Sequence, residues 1–189
     1  MTMTGDKDRR TDLCSRFTEK ATAVSAVVRQ IATINDAFAY CANLCGTGQE
    51  KIIAAPGLES SHYDLLADQC GKNGLTCINS GMRGHLSGVD IGFTMADIGI
   101  AETGTLVINC PGEELRLATM LCEYHICVLP CSKIVRDAFA ADQQLRTYMR
   151  KAPNYTAFIT GASRTADIER VLALGVHGPL ELHILLLED

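Results

Sequence analysis

Short apolar runs rich in β-forming residues alternate with amphipathic segments along most of this 189-residue chain. We predict strands at residues 51–55, 76–79, 106–109, 125–129, 156–159 and 182–187, and helices at residues 61–71, 113–121, 133–149 and 165–174. Strands that alternate with helices form right-handed βαβ crossovers and a largely parallel sheet. The run from Ile184 to Leu187 is typical of a strand covered on both faces. The sequence therefore predicts an α/β fold with a largely parallel sheet.

The N-terminal part of the chain carries apolar residues at steps of three and four, from Asp12 to Cys45. This spacing predicts one long helix, with a weak point near Thr33 and Ile34 where helix propensity is low. Its apolar stripe either packs on the protein's own sheet or contacts a partner, including a second copy in a homo-oligomer. No linker divides the chain, so we predict one domain in two parts, a helical segment at residues 1–46 and an α/β part at residues 47–189.

Charge and hydropathy exclude two classes of partner. The net charge is −5 and no basic stripe is visible, which argues against nucleic-acid binding. No apolar stretch approaches the about 18 residues that a membrane helix needs, and the N-terminus lacks the apolar core of a signal peptide. We therefore expect a cytoplasmic protein that binds neither nucleic acid nor membrane.

The chain has nine cysteines, an odd number in a sequence large enough to fold on its core. We expect reduced thiols and no disulfide framework. Zinc and iron–sulfur sites favour Cys-x2-Cys pairs, and the sequence contains none. The spacing of Cys122, His125, Cys127 and Cys131 also does not fit a metal site. We predict no metal and no cofactor in this chain.

A first polar motif lies just before an apolar run: Glu102, Thr103, Gly104 and Thr105. Polar clusters at the end of a buried strand are common binding sites in α/β proteins. Next to the core, Glu102 would be partly desolvated, which suits a carboxylate to acid–base or nucleophilic chemistry. The alternative is that Glu102 only fixes the turn around Gly104 by bonding backbone amides. Both interpretations stay open.

A second motif, Gly161, Ser163, Arg164 and Thr165, is predicted where a strand turns into a helix. Exposed amides and an arginine at a helix start would hold a carboxylate or phosphate, although plain capping explains the hydroxyls equally well. In a third motif His177 stands before Gly178 and Pro179, and it either points into a cleft or bonds its own turn. The usual nucleotide-binding and hydrolase motifs are absent from the sequence.

These motifs resemble the LUD-domain family, and most closely its lactate utilization protein C group. The match covers residues 52–187 and includes Arg116 in a predicted helix and His125 at the opening of a predicted strand. Residues 121–124 depart from the pattern, since the family usually has proline before that histidine. The segments that carry the resemblance are residues 101–107, 161–169 and 174–179.

The resemblance implies a Rossmann-like sheet of the sugar-isomerase and CoA-transferase type. It also implies a subunit that helps to oxidise L-lactate to pyruvate beside iron–sulfur partner subunits, which would carry the clusters. The alternative is a stand-alone small-molecule enzyme with Glu102 as base or nucleophile.

We expect the motifs to meet in one cleft at the carboxyl ends of parallel strands and to bind a small anion there, with Glu102 and His177 as catalytic candidates. The ligand-binding candidates are Thr103, Gly104, Thr105, Arg116, Gly161, Ser163, Arg164 and Thr165.

Overall fold

Three sheets, one of them the two-stranded pair of Arg164–Thr165 and Ala173–Leu174, and five α-helices form the described part of the protein. The structure is a computed structural model, and it describes residues 3–46, 51–86, 88–150, 154–165, 173–174 and 178–189. The helices are α1 (Met3–Ala23), α2 (Ile34–Cys45), α3 (Ser60–Lys72), α4 (Glu113–Ala118) and α5 (Ala138–Met149). The strands are β1 (Ala26–Ile31), β2 (Ile52–Ala54), β3 (Thr76–Ile78), β4 (Val89–Met95), β5 (Ile98–Ile100), β6 (Thr105–Cys110), β7 (Cys122–Pro130), β8 (Ile134–Val135), β9 (Tyr155–Ile159), β10 (Arg164–Thr165), β11 (Ala173–Leu174) and β12 (Glu181–Leu187). Short 3-10 helices lie at Met82–His85 and Cys131–Lys133.

The larger sheet has six strands in the order β1-β12-β7-β4-β2-β3, and all its neighbouring pairs are parallel. Strand β12 lies between β1 and β7, with Leu182 opposite both Ala26 and His125. The predicted α/β fold with a largely parallel sheet is confirmed.

The predicted burial of β12 on both faces is confirmed by its packing. Leu182, Ile184 and Leu186 belong to a core that includes Phe17 of α1. Leu185 points the other way, into a core that includes Phe38 of α2. Because a strand that is apolar on both faces needs a cover on each side, the continuous apolar run is explained by two separate cores.

The four-stranded sheet has the strand order β8-β5-β6-β9. Strand β6 is antiparallel to both β5 and β9, so residues 101–104 form the turn of a hairpin. Strand β9 is an edge strand of this sheet. Sequence patterning did not predict this second sheet, and it did not predict β4 or β5.

The prediction of one helix from residue 12 to residue 45 is wrong. Helix α1 ends at Ala23, Ser25 takes a left-handed φ of 67°, and β1 follows. Helix α2 then begins with a capping box in which Asp36 N donates to Thr33 Oγ1 at 3.3 Å and Thr33 N donates to Asp36 Oδ2 at 2.8 Å. The segment at residues 1–46 thus contributes a strand to the large sheet, and its apolar stripe packs into the protein's own cores.

Two other predicted helices also differ from the structure. The helix at residues 133–149 starts only at Ala138, because Ile134 and Val135 pair with β5 and the Asp137 carboxylate accepts from Ala140 N. The helix predicted at residues 165–174 is wrong at both ends, where β10 and β11 pair with each other. Residues 166–172 lie outside the described part.

Candidate functional site

A pocket of about 320 Å³ opens between α4, β9 and the start of β12. Its walls are Arg116, Thr119 and Met120 at the end of α4, residues 155 and 157–163 of β9 and the loop after it, and Gly178 and Pro179 before β12. Leu182 and His125, neighbours on β12 and β7, lie between these walls. The volume is at the lower end of the range typical of small-molecule sites.

His125 is the buried polar group of the pocket, with 1% of its surface exposed. Its Nε2 lies 2.8 Å from Oγ1 of Thr94, which is also buried. Burial lowers the pKa of His125 to about 4, because the imidazolium would lose its hydration. The ring is therefore neutral at physiological pH and suited to hydrogen bonding.

Arg116 supplies the positive charge of the pocket. Its Nη2 donates to Glu113 Oε1 at 3.2 Å, one turn earlier on α4, and its guanidinium carbon lies 5.3 Å from the centre of the Tyr155 ring. Glu113 also accepts two hydrogen bonds from Arg83, at 2.8 and 3.0 Å, and Arg83 holds the pKa of Glu113 below its usual range. Glu113 and Tyr155 thus orient a guanidinium whose other N–H groups can bind a ligand.

The loop after β9 brings the second and third motifs together. Ser163 N donates to the carbonyl oxygen of Pro179 at 2.9 Å, and both residues line the pocket. Gly161 has a φ of 74°, and a side chain there would meet the carbonyl oxygen of Val24. The close approach of this loop to the end of α1 therefore requires glycine.

The first motif lies beside the pocket and does not line it. The Glu102 and Thr103 side chains are exposed, so the expected partial desolvation of Glu102 is wrong. Gly104, with a φ of 65°, packs against the backbone of Ala21. Thr105 Oγ1 lies 2.7 Å from Thr103 Oγ1 and 2.8 Å from the hydroxyl of Thr160, which is part of the pocket wall. A chain of three hydroxyls therefore connects this turn to the pocket.

The structure brings only some of the predicted site residues together at the pocket. Arg116, Gly161 and Ser163 line the pocket. Arg164 is exposed and does not line it, Thr165 is described by its backbone alone, and His177 lies outside the described residues. The residues from the first motif that do not line the pocket are Glu102, Thr103, Gly104 and Thr105.

The pocket does not lie at the carboxyl ends of parallel strands, where the site was predicted. Leu182 and His125 belong to the amino-terminal halves of their strands, and Pro179 precedes β12. The turn that carries Glu102 joins two antiparallel strands of the other sheet, so no βα crossover brings it to the carboxyl edge.

Sequence reasoning missed several residues that shape this pocket. His125 stood out only as a strand residue and as a point of family resemblance. Met120, Tyr155 and Phe158 gave no signal, although their exposed fractions are 49%, 48% and 54%. Exposure of large apolar side chains is visible only in the tertiary structure.

The fold and the pocket define a Rossmann-like α/β protein with a small-molecule-sized site beside its parallel sheet. The family model described as the LUD domain matches residues 14–187, and the chain therefore belongs to the LUD-domain family. A crystal structure of a DUF162 family protein from Deinococcus radiodurans has a similar fold, with a TM-score of 0.67 and 16% identity over 94% of this chain and 98% of that one.

Curated relatives match a shorter stretch. The chain is 35% identical over 102 residues to lactate utilization protein C of Shouchella clausii and 39% identical over 103 residues to that of Exiguobacterium sp.. Each match covers 53% of this chain and 44% or 45% of the relative, so the chain matches less than half the length of these proteins.

Two further findings concern the described part alone. No helix there is both long and apolar enough to span a membrane. Among the same residues, no cluster of three or more His, Cys, Asp or Glu side chains is arranged to hold a metal ion.

Proposed function

We propose that this chain is a subunit of a lactate utilisation system, in which L-lactate is oxidised to pyruvate, and that it binds a small anionic ligand in the Arg116 pocket. The role in lactate utilisation is supported by similarity to the lactate utilization protein C relatives. The iron–sulfur clusters that would accept the electrons belong, in this proposal, to partner subunits.

The observation that carries the ligand proposal is the meeting of Arg116, His125 and Ser163 in one pocket. A guanidinium binds carboxylates through paired N–H donors. A neutral imidazole and a hydroxyl bond a neighbouring hydroxyl or carbonyl oxygen. Together these groups match a 2-hydroxy or 2-oxo acid, the class to which lactate and pyruvate belong.

The anion site proposed here differs from a cleft between Glu102 and Arg164. Neither of those side chains lines the pocket. The alternative of a stand-alone enzyme with Glu102 as base or nucleophile gains no support from this geometry, because Glu102 is exposed on a hairpin turn. Among the described residues, Arg116 and His125 are the better candidates for contact with a ligand.

Thermal unfolding with L-lactate or pyruvate tests the anion site. A ligand at about a hundred times its dissociation constant adds about 2.7 kcal/mol of stability, which raises the melting temperature by several degrees. We expect Arg116→Ala to abolish this rise and Arg164→Ala to keep it, since Arg164 is an exposed arginine outside the pocket. If both variants lose the rise in melting temperature equally, or if the wild type shows no rise, the proposed anion site is contradicted.

A reconstitution experiment tests the subunit role. The chain is mixed with lactate and an electron acceptor, with and without the iron–sulfur partner subunits. We expect lactate oxidation only in the complete mixture, and we expect it to fall when Arg116→Ala replaces the wild type. Oxidation by this chain alone would instead make it an enzyme in its own right.

A further inference from the structure

Two large apolar side chains line the Arg116 pocket although they are about half exposed. They are Met120 and Tyr155. Single exposed apolar residues are common, and Phe139 on α5 is an example, with 90% of its surface exposed. A pair of them in a concave site beside a cation is different, because such patches mark ligand or partner contacts.

The cation and the apolar surface are held side by side. The Arg116 guanidinium carbon lies 5.3 Å from the centre of the Tyr155 ring, and Glu113 accepts from the same guanidinium. An anion bound to Arg116 therefore has apolar surface directly beside it. This arrangement is complementary to a molecule whose charged group and apolar group are only a few bonds apart.

The volume of the pocket also favours a ligand that carries an apolar group. A three-carbon acid such as lactate has about six non-hydrogen atoms, and at about 30 Å³ each, the share of one water molecule, it fills about 180 Å³ at most. More than a third of the 320 Å³ pocket would then hold water against apolar walls. Ala157, Ala162 and Leu182 extend those walls into the interior.

We propose that the preferred ligand is a 2-hydroxy or 2-oxo acid whose third carbon carries an aromatic or bulky apolar group. Its carboxylate lies on Arg116, its 2-oxygen lies near His125 and Ser163, and its apolar group contacts Met120 and Tyr155. This inference rests on the anion site of the proposed function and specifies the side chain of the ligand.

Calorimetric titration with two matched pairs of acids tests the proposal: L-lactate against L-3-phenyllactate, and pyruvate against phenylpyruvate. We expect each phenyl compound to bind the wild type about tenfold or more tightly than its three-carbon partner, since burial of part of a ring contributes about 1.4 kcal/mol or more. Met120→Ala should remove most of this preference. Phe139→Ala, a control away from the pocket, should leave the preference intact.

The outcomes separate this inference from the proposed function. Equal affinities within each pair overturn the apolar-group inference and leave the anion site standing. Binding of the phenyl compounds alone, lost in Arg116→Ala, supports the inference and removes lactate as the ligand. Failure of all four acids to bind overturns both. If Met120→Ala keeps the preference, the apolar side chains of the pocket do not contact the ligand and the inference is wrong.

Discussion

Thr105 Oγ1 lies 2.8 Å from Thr160 Oγ1, and this hydrogen bond joins the hairpin turn of residues 101–104 to the wall of the Arg116 pocket. The first sequence motif is thus connected to the pocket through its hydroxyl groups, while its carboxylate is exposed. Through this bond the motif supports the loop after β9, which contains Gly161 and Ser163.

Replacement of Thr105 by valine tests this support. Thr105 is 6% exposed and its hydroxyl bonds both Thr103 and Thr160, so Thr105→Val removes two part-buried hydrogen bonds, and we expect a loss of about 1–2 kcal/mol in the free energy of unfolding. Thr103→Val is the control, and it should cost less than about 0.5 kcal/mol because that side chain is exposed. Urea unfolding measures both. Equal losses would show that the Thr105 bond has no special role.

The glycines at positions 104 and 161 should not tolerate a side chain. Each has a positive φ, and each packs against the backbone at the end of α1. We expect Gly104→Ala and Gly161→Ala each to lower the free energy of unfolding by more than about 1 kcal/mol. Gly71→Ala, in α3 with open space around the glycine, should instead be neutral or stabilising. Chemical denaturation of the three variants measures their free energies of unfolding. Equal changes in all three would contradict this prediction.

His125 should make the protein less stable as the pH falls. Its pKa is about 4 in the folded protein and about 6.5 in the unfolded chain, so the unfolded chain binds more protons between these two pH values. The stabilising preference for the neutral ring is fully present above pH 6.5 and is lost as the pH falls towards 4. Its share of the loss between pH 6.5 and pH 5 is between about 1 and 2 kcal/mol.

Urea midpoints across pH 5 to 7 measure this dependence. We expect His125→Gln to flatten the curve. His183 has a pKa lowered by burial and acts in the same direction, so the double variant with His183→Gln should be flatter still. A His125→Gln curve parallel to that of the wild type would show that this ring does not titrate as its burial requires.

A chain of residues 47–189 should not fold by itself. It lacks β1, which pairs with β12 along its whole length, and it lacks the fully buried Phe17 and Phe38. Two cores would be opened and the β12 edge exposed. Circular dichroism and amide exchange should show an unfolded or aggregated fragment, whereas the full chain should unfold cooperatively. A cooperative unfolding transition in the fragment would contradict the role assigned to β1.

The sequence by itself predicted those elements whose residue pattern is typical of one type of secondary structure. The apolar run of β12 predicted a strand covered on both faces, and the alternation of segments predicted a largely parallel sheet. Arg116 and the glycine turn at Gly161 were identified as candidate site residues by resemblance and by turn chemistry, and both line the pocket.

Only the tertiary structure decided the elements that depend on distant partners. The apolar steps across residues 26–31 fit a helix equally well, and their identity as β1 depends on pairing with β12 more than 150 residues later. The hairpin that exposes Glu102 depends in the same way on the pairing of β5, β6 and β9. The pocket itself requires α4, β9 and the start of β12 to meet around His125. Local propensity contains no information on such contacts, because their free energy arises only when the separate segments pack together.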